Sequence, residues 1–275
     1  MRNPRSSPPD SPPNAESSSA YSAPALEKGL DILEALAEEA DGLTLTSLAV
    51  QLGRTPSELY RMLVCLARRG YVARNETTDR HSLTLRLFEL AHRHPPMRRL
   101  VGAAMPIMQS LASTLNQSCH LSCFLEGRQL VIAQADAPGS MGFGVRLGAN
   151  TIDLLMSASG RALLAFQEPA RQGWMLNAYR AAGGVADLPS LHAVLDDVTM
   201  TGLAEMDSFQ VAGVRAISRP VMEPFGNAIA SLTIPFLVRL DEPRQAGLDD
   251  ARHALRQAAD QLSLAMGGCP PQTSQ

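Results

Sequence analysis

Two short helical segments joined by a single glycine constrain this chain more than any other feature. Residues 46–52 carry apolar side chains at helical spacing, and Gly53 interrupts the pattern. Thr55, Pro56 and Glu58 then provide the start of another helix, with a hydroxyl at the N-cap, a proline at the first helical position and an acid at the third. A helix pair with so tight a connection predicts a helix-turn-helix.

One more helix precedes this pair and a hairpin follows it. The apolar residues of 24–37 recur at helical spacing, and residues 71–74 and 80–85 have the composition of strands around a polar turn. Three helices and a hairpin predict a winged helix-turn-helix over residues 23–85. A linker helix over residues 86–96, stopped by paired prolines, is expected to follow.

Charge is unevenly distributed along this segment. The net charge of the whole chain is only −3, so any DNA contact must come from a local patch. Residues 54–99 contain ten arginines and four acids, a balance of +6, whereas residues 23–53 contain one lysine and six acids, a balance of −5. We therefore expect the third helix and the hairpin to face double-stranded DNA, and the first helix to face away.

The candidate DNA contacts lie in the first turns of the third helix and in the wing. A recognition helix enters the major groove by its N-terminal residues, which here are Arg54, Thr55, Ser57, Glu58, Tyr60 and Arg61. The wing adds Arg74, Thr77, Thr78 and Arg80. Ser57 and Tyr60 can reach phosphates or base edges, and Arg61 can pair bidentately with guanine or bind phosphate.

The remaining chain alternates between helical and strand patterns. Its order is not strictly βαβ, so we expect an α+β domain built on a mainly antiparallel sheet over residues 97–268. Helices are predicted at 97–115, 159–166, 169–180, 188–200 and 241–266, and strands at 118–125, 129–135, 142–148, 213–223 and 227–237. Residues 1–22 and 269–275 are expected to be disordered tails.

Composition and motifs argue against several other classes. The chain has no apolar run long enough for a membrane helix, and its four cysteines lack a disulfide spacing, so a reduced cytoplasm and no membrane partner are expected. Cys119 and Cys123 would lie roughly 13 Å apart on a strand, with His120 on the opposite face, which cannot form one zinc site. Ser157–Gly160 lacks a nucleophile elbow. We therefore predict no metal, no cofactor and no enzymatic activity.

Several runs in register resemble the IclR family of transcriptional regulators. They are ALEKGLDILEALA at 25–37, GLTLTSLA at 42–49, PSELYRML at 56–63, RGYV at 69–72, LRLFEL at 85–90, GRALLAF at 160–166 and GVRAISRPV at 213–221. The resemblance covers residues 23–267. It implies a winged helix-turn-helix, a linker helix and a GAF-like effector-binding domain, in a homodimer or homotetramer that binds a partly palindromic operator.

The resemblance also implies where a small-molecule effector binds. The expected walls are a loop, a segment near position 207 and a hairpin, which contribute Ser157, Ala158, Ser159, Met206, Asp207, Val214, Ala216, Ser231 and Thr233. Met141 and Phe143 would close the apolar side. The N–H groups at the start of the helix after Ser157 form a natural carboxylate site.

The chain departs from relatives that bind small oxoacids. Ala216 and Met206 occupy positions where those relatives carry a cysteine and an acid, and Asp153-Leu154-Leu155 replaces a common Pro-Leu-His. These changes favour a larger, less polar effector such as an aromatic or alkyl acid. The alternative that Ala216, Met206 and Leu155 are ordinary core residues stays open. So do two rival functions for the chain: an enzyme fused to a winged helix, and a protein-interaction module.

Overall fold

A computed structural model of the chain describes residues 23–139, 142–150, 152–185, 187–238, 240 and 246–272. The predicted tail of residues 1–22 lies outside the described residues. The chain divides into two compact units, Met1–His94 and Pro95–Gln275. The division falls within the segment predicted as a linker. None of the helices in the described ranges is long and apolar enough to span a bilayer.

The first unit is a winged helix-turn-helix. Its elements are α1 (Pro24–Ala37), β1 (Leu43–Thr44), α2 (Leu45–Gln51), α3 (Pro56–Arg68), β2 (Val72–Arg74), β3 (Arg80–Leu83) and α4 (Arg86–Arg93). The strands form an antiparallel sheet in the order β1-β3-β2. Strand β1 was not predicted, because it is only two residues long and is stabilised by pairing with β3.

Local sequence signals set the helix ends in this unit. The Thr44 hydroxyl accepts a hydrogen bond from the Ser47 N–H at 3.1 Å and caps α2. Gly53 has φ +61°, a left-handed conformation that costs a glycine little. The three helices then bury a common core against β2, formed by Ile32, Ala35, Leu36, Leu48, Ala49, Leu59, Leu63 and Val72.

The second unit contains a six-stranded antiparallel sheet in the order β6-β5-β4-β9-β8-β7. The strands are β4 (Cys119–Leu125), β5 (Arg128–Ala135), β6 (Ile152–Asp153), β7 (Ala204–Asp207), β8 (Val214–Met222) and β9 (Ala228–Leu237). The helices are α5 (Pro95–Leu115), α6 (Ala158–Ala165), α7 (Pro169–Ala181), α8 (Leu188–Thr201) and α9 (Leu248–Ala265). This arrangement confirms the predicted α+β class.

The two faces of this sheet differ in chemistry. On one face, alternate residues of β4, β8 and β9 join the side chains of α5 and α9 in a continuous apolar core that includes Leu121, Ile217 and Leu232. On the other face, which contacts α6, the alternate positions carry the buried polar residues His120, Ser122, Ser218, Ser231 and Thr233. Because strand side chains alternate between faces, one run of sequence supplies both surfaces.

Two sequence predictions for this unit were wrong or incomplete. Residues 142–148 form no strand, although the Gly148 N–H donates a hydrogen bond to the Val131 carbonyl of β5 at 2.9 Å. Strands β6 and β7 were missed because they are short edge strands of two and four residues. Part of the predicted C-terminal tail is described, and the Pro271 carbonyl accepts a hydrogen bond from Arg219 at 3.4 Å. Residues 241–245 and 273–275 lie outside the described residues.

Candidate DNA interface and ligand cavity

One exposed stripe runs along α3. Ser57, Tyr60, Arg61, Val64 and Arg68 are all exposed and recur at the spacing that places residues on one helix face. Leu59 and Leu63 lie on the opposite side and are 0% and 2% exposed in the core of the unit. The buried side therefore fixes which residues of α3 are presented outward.

Thr55 and Glu58 are engaged in starting the helix. The Glu58 carboxylate accepts hydrogen bonds from the Thr55 N–H at 3.0 Å and from the Thr55 hydroxyl at 2.8 Å. It also accepts one from Lys28 of α1 at 2.9 Å. The hydrogen bond from Lys28, followed by those from Thr55, lowers the pKa of Glu58 from 4.5 to about 2. This predicted contact residue thus positions α3 against α1.

The other predicted contacts of α3 divide into two groups. Arg54 forms an ion pair with Asp31 at 3.0 Å, so it too ties the turn to α1. Tyr60 is 59% exposed. Arg61 is exposed and forms no hydrogen bond or ion pair with any described residue. Tyr60 and Arg61, with Ser57, are the side chains of this set that are most available to DNA.

Val64 is a candidate contact that sequence reasoning missed. It is 48% exposed on the stripe of α3, one turn beyond Tyr60 and Arg61. An apolar side chain at a major groove can contact the methyl group of thymine. The signal was present in the spacing of α3, because Val64 falls outside the apolar face that Leu59 and Leu63 define.

The wing is stabilised by its own polar residues. The Asn75 carboxamide oxygen accepts hydrogen bonds from the N–H groups of Thr77 and Thr78 at 2.9 and 3.1 Å. Arg74 pairs with Asp79 at 2.6 Å while remaining largely exposed. Arg80 donates a hydrogen bond to the Gly42 carbonyl at 2.8 Å. Arg80 therefore supports the wing, whereas Arg74 has its charge at the surface.

A cleft of ≈ 540 Å³, including the space at its open mouth, lies on the polar face of the sheet in the second unit. It brings together these predicted residues: Phe143, Ser157, Ala158, Ser159, Met206, Asp207, Val214, Ala216 and Thr233. Met141 lies outside the described residues. Leu155 is 7% exposed and belongs to the core under α7 and α8.

The first turn of α6 presents unused N–H groups to this cavity. The Ser157 hydroxyl caps the helix, accepting from the Gly160 N–H at 3.1 Å and from Gln129 at 2.7 Å, and it donates to the Asp153 carbonyl at 2.6 Å. That hydroxyl has no proton left for a ligand. The N–H groups of Ala158 and Ser159 donate to no group in the described part of the chain, and both residues are buried at the cavity wall.

Ser231 does not line the cavity, although Thr233 on the same strand does. The Ser231 hydroxyl is 3.0 Å from the Ser122 hydroxyl, which donates to the Gln129 side-chain oxygen at 3.2 Å. Gln129 in turn bonds Ser157. This buried chain of hydrogen bonds ties β9 and β4 to the start of α6, so Ser231 supports the site from behind.

The helix start is held close to the preceding loop by Gly160. A methyl group added at Gly160 would lie 1.9 Å from the Leu154 carbonyl oxygen. That oxygen is a backbone atom and cannot move aside alone, so no side chain fits there. The approach fixes the position of the Ala158 and Ser159 N–H groups.

Asp207 stands at the cavity rim. Its carboxylate accepts a hydrogen bond from Arg215 at 2.8 Å, and its side chain is 83% exposed. Arg215 also pairs with Glu205, which binds Arg252 of α9 at 2.7 Å. Hydrogen bonds from Arg252, and then from Arg215, lower the pKa of Glu205. Asp207 therefore belongs to a surface network of ion pairs as well as to the cavity wall.

His120 lines the cavity and was missed as a site residue. Its place in the sequence suggested only a metal site shared with Cys119 and Cys123. Those cysteines pack with the apolar face of the sheet, and burial raises the pKa of each to about 12. Among the described residues, no cluster of three histidine, cysteine or acidic side chains is arranged to hold a metal ion.

Both units match models of one protein family. Residues 25–76 match the IclR helix-turn-helix domain, and residues 97–264 match the model described as bacterial transcriptional regulator IclR C-terminal. The chain belongs to the IclR family. The IclR relatives are named as transcriptional regulators, so the chain is a DNA-binding transcriptional regulator and not an enzyme.

Individual IclR relatives extend over nearly the whole chain. The HTH-type transcriptional regulator KdgR of Escherichia coli is 31% identical over 245 residues, covering 87% of this chain and 91% of KdgR. Pseudomonas aeruginosa HmgR shares the fold with a TM-score of 0.70 at 25% identity, covering 89% of this chain and 99% of HmgR. An IclR homolog from Microbacterium hydrocarbonoxydans, complexed with 4-hydroxybenzoate, has a TM-score of 0.71 at 20% identity over 88% of this chain and 99% of its own.

Proposed function

We propose that this IclR-family regulator binds an operator with α3 in the major groove and the wing on the phosphate backbone, and that a small organic acid in the cavity modulates this binding. The exposed stripe of α3 supports the first part. The observation that carries the second is the pair of unused N–H groups of Ala158 and Ser159, which open into a mostly apolar cavity. Anions are favoured at such helix starts.

The proposed effector is an organic acid with an apolar body. Val214, Ala216 and Met206 give the cavity an apolar wall beside the start of α6. An apolar wall with a few placed polar groups is typical of small-molecule sites. An aromatic acid such as 4-hydroxybenzoate, the ligand of the Microbacterium IclR homolog, is therefore a reasonable first probe.

A melting-temperature screen tests the effector proposal. Aromatic, aliphatic and oxo acids are added to the full chain, with the uncharged amide of each acid as a control. An acid that binds the native state stabilises it by about 2.7 kcal/mol at a hundredfold excess over its Kd. The acid, and not its amide, should raise the melting temperature. Equal shifts with acid and amide would contradict a carboxylate site at α6.

We also propose that the regulator is a homodimer or homotetramer. A winged helix contacts few base pairs alone, and symmetric oligomers double the contact by binding two half-sites. Light scattering on the full chain, with footprinting on its operator, measures both properties. A monomer that protects a single half-site would contradict the proposal.

Removing Arg74 should weaken DNA binding without changing sequence preference. Its exposed charge at the wing suits a phosphate contact, which carries no sequence information. We expect Arg74→Ala to lower affinity by a similar factor on all duplexes and to reduce the salt slope by roughly one unit. Arg171→Ala, which removes an exposed paired arginine from the second unit, is the matched control. A loss confined to one operator position would instead indicate a base contact.

A further inference from the structure

The position of His120 follows from strand alternation. It lies on β4 directly opposite Thr233 of β9, on the sheet face that lines the cavity. Its neighbours Cys119 and Leu121 point the other way, into the apolar core. His120 and Thr233 therefore form a polar pair on the floor of the cavity.

The His120 imidazole is buried without a hydrogen-bond partner. It is only 3% exposed, its Nδ1 is wholly buried, and the ring forms no hydrogen bond to any described residue. Buried polar groups in native proteins are nearly always paired, because an unpaired one destabilises the fold. The fold thus keeps a destabilising polar group buried at the cavity, and a bound ligand that pairs with it would explain its presence.

The charge state of His120 limits what it can bind. Burial alone lowers its pKa from 6.5 to about 4, so the ring is neutral near pH 7. A neutral imidazole has one N–H donor and one acceptor nitrogen. Among the described residues that line the cavity, Asp207 is the one with a charged side chain. Its carboxylate is exposed and forms an ion pair with Arg215. No charge in the described part of the chain therefore favours the imidazolium.

We infer that His120 is a specificity-determining residue, which hydrogen-bonds a hydroxyl or carbonyl oxygen on the body of the effector while the effector carboxylate lies at the start of α6. This inference rests on the proposed function, since it requires the cavity to be the effector site. The effector would then carry, besides its carboxylate, one hydroxyl or carbonyl oxygen placed to reach His120 on the floor of the cavity.

The neutral ring favours a neutral oxygen as the partner of His120, and the neighbouring Thr233 leaves His120 as the unpaired group of the floor. Pairing with a carboxylate as an ion pair would require protonation of a ring that burial holds neutral, whereas a hydroxyl or carbonyl binds the neutral ring directly. Thr233, the other polar group of the floor, already shares a hydrogen bond with Ser218 at 2.8 Å. His120 is thus the group of this pair with its full hydrogen-bonding capacity unused.

Matched pairs of acids that differ by one oxygen test this inference on the full chain. The probes are benzoate with 4-hydroxybenzoate, benzoate with 3-hydroxybenzoate, and propanoate with lactate and pyruvate, measured by calorimetry. The oxygenated member of at least one pair should bind wild type roughly tenfold more tightly. His120→Phe should remove that preference and leave the plain acid within about twofold of its wild-type affinity. His120→Gln, which keeps a donor and an acceptor, should retain part of the preference.

Stability separates a ligand-binding role from a structural one. His120→Phe removes an unpaired buried polar group, so the melting temperature without ligand should be equal to or above that of wild type. His192→Phe, at an exposed histidine of α8, is the control and should change neither preference nor affinity. A lowered melting temperature with equal loss of both acids would overturn the inference and make His120 structural.

The remaining outcomes distinguish this inference from the proposal on which it rests. If wild type binds the plain and oxygenated acids with equal affinity, the acid site stands and the role of His120 is rejected. If His120→Phe keeps the wild-type preference, the second oxygen is recognised by another residue and the inference also fails. If wild type binds none of the acids, the effector cavity itself is rejected.

Discussion

Replacing Arg61 by alanine should weaken operator binding by roughly 1–3 kcal/mol, which is roughly 5- to 150-fold, and should relax preference at one base position. Arg61 is exposed in the second turn of α3 and has no partner among the described residues. Its guanidinium is therefore free to pair with the O6 and N7 atoms of a guanine in the major groove. Gel-shift titration on the operator and on single-base variants measures both effects.

Arg68→Ala is the matched control for Arg61→Ala. Arg68 lies on the same exposed stripe of α3 and carries the same charge, but it is two helical turns further along. Recognition helices contact bases mainly through their N-terminal residues, so Arg68→Ala should lower affinity evenly across sequences. Unchanged site preference in Arg61→Ala, or an equal change in both variants, would show that Arg61 contacts phosphate.

The DNA-binding unit could be predicted closely because its signals are local. Thr55, Pro56 and Glu58 define the start of α3 within four residues, and Gly53 defines the turn before it. Which of the predicted contact residues are free of intramolecular partners could not be predicted, for a physical reason. Arg54 donates a hydrogen bond to Asp31, which lies 23 positions away in the sequence. The spacing of residues along the chain cannot show whether an arginine has such a distant partner or is free to contact DNA.

The second unit shows which features cannot be predicted from local sequence patterns. Alternation correctly placed Ser231 and Thr233 on one face of β9, yet only Thr233 reaches the cavity. Ser231 does not line the cavity, and its hydroxyl instead contacts that of its cross-strand partner Ser122. That pairing depends on the register of two strands whose residues are 109 positions apart in the sequence. Edge strands β6 and β7 were missed for a similar reason, since short strands owe their structure to their neighbours.

His120 was not predicted to line the cavity, for a different reason. Its sequence neighbours Cys119 and Cys123 suggest a shared metal site, which the spacing along a strand excludes. On a strand, His120 faces away from both cysteines. His120 and Thr233, on that opposite face, line the cavity, so the alternation that excluded the metal site also indicated part of the cavity wall.

Replacing Ala216 by aspartate should nearly abolish binding of any acid effector. Ala216 lines the cavity on β8, opposite Met206 and Pro235. A carboxylate there would face an effector carboxylate held at the start of α6. At a separation of about 6 Å and an effective dielectric constant of about 20, two such charges repel by about 2.8 kcal/mol, roughly a hundredfold in affinity. Calorimetry with an acid identified in the melting-temperature screen measures the loss.

Ala216→Asn separates this repulsion from steric damage, because asparagine has nearly the size of aspartate without its charge. We expect Ala216→Asn to bind the acid far more tightly than Ala216→Asp, and both variants to bind operator DNA like wild type when no effector is present. Equal weakening in the two variants would attribute the effect to cavity volume. Wild-type affinity in Ala216→Asp would place the effector carboxylate elsewhere, since a buried like charge beside it cannot be without effect.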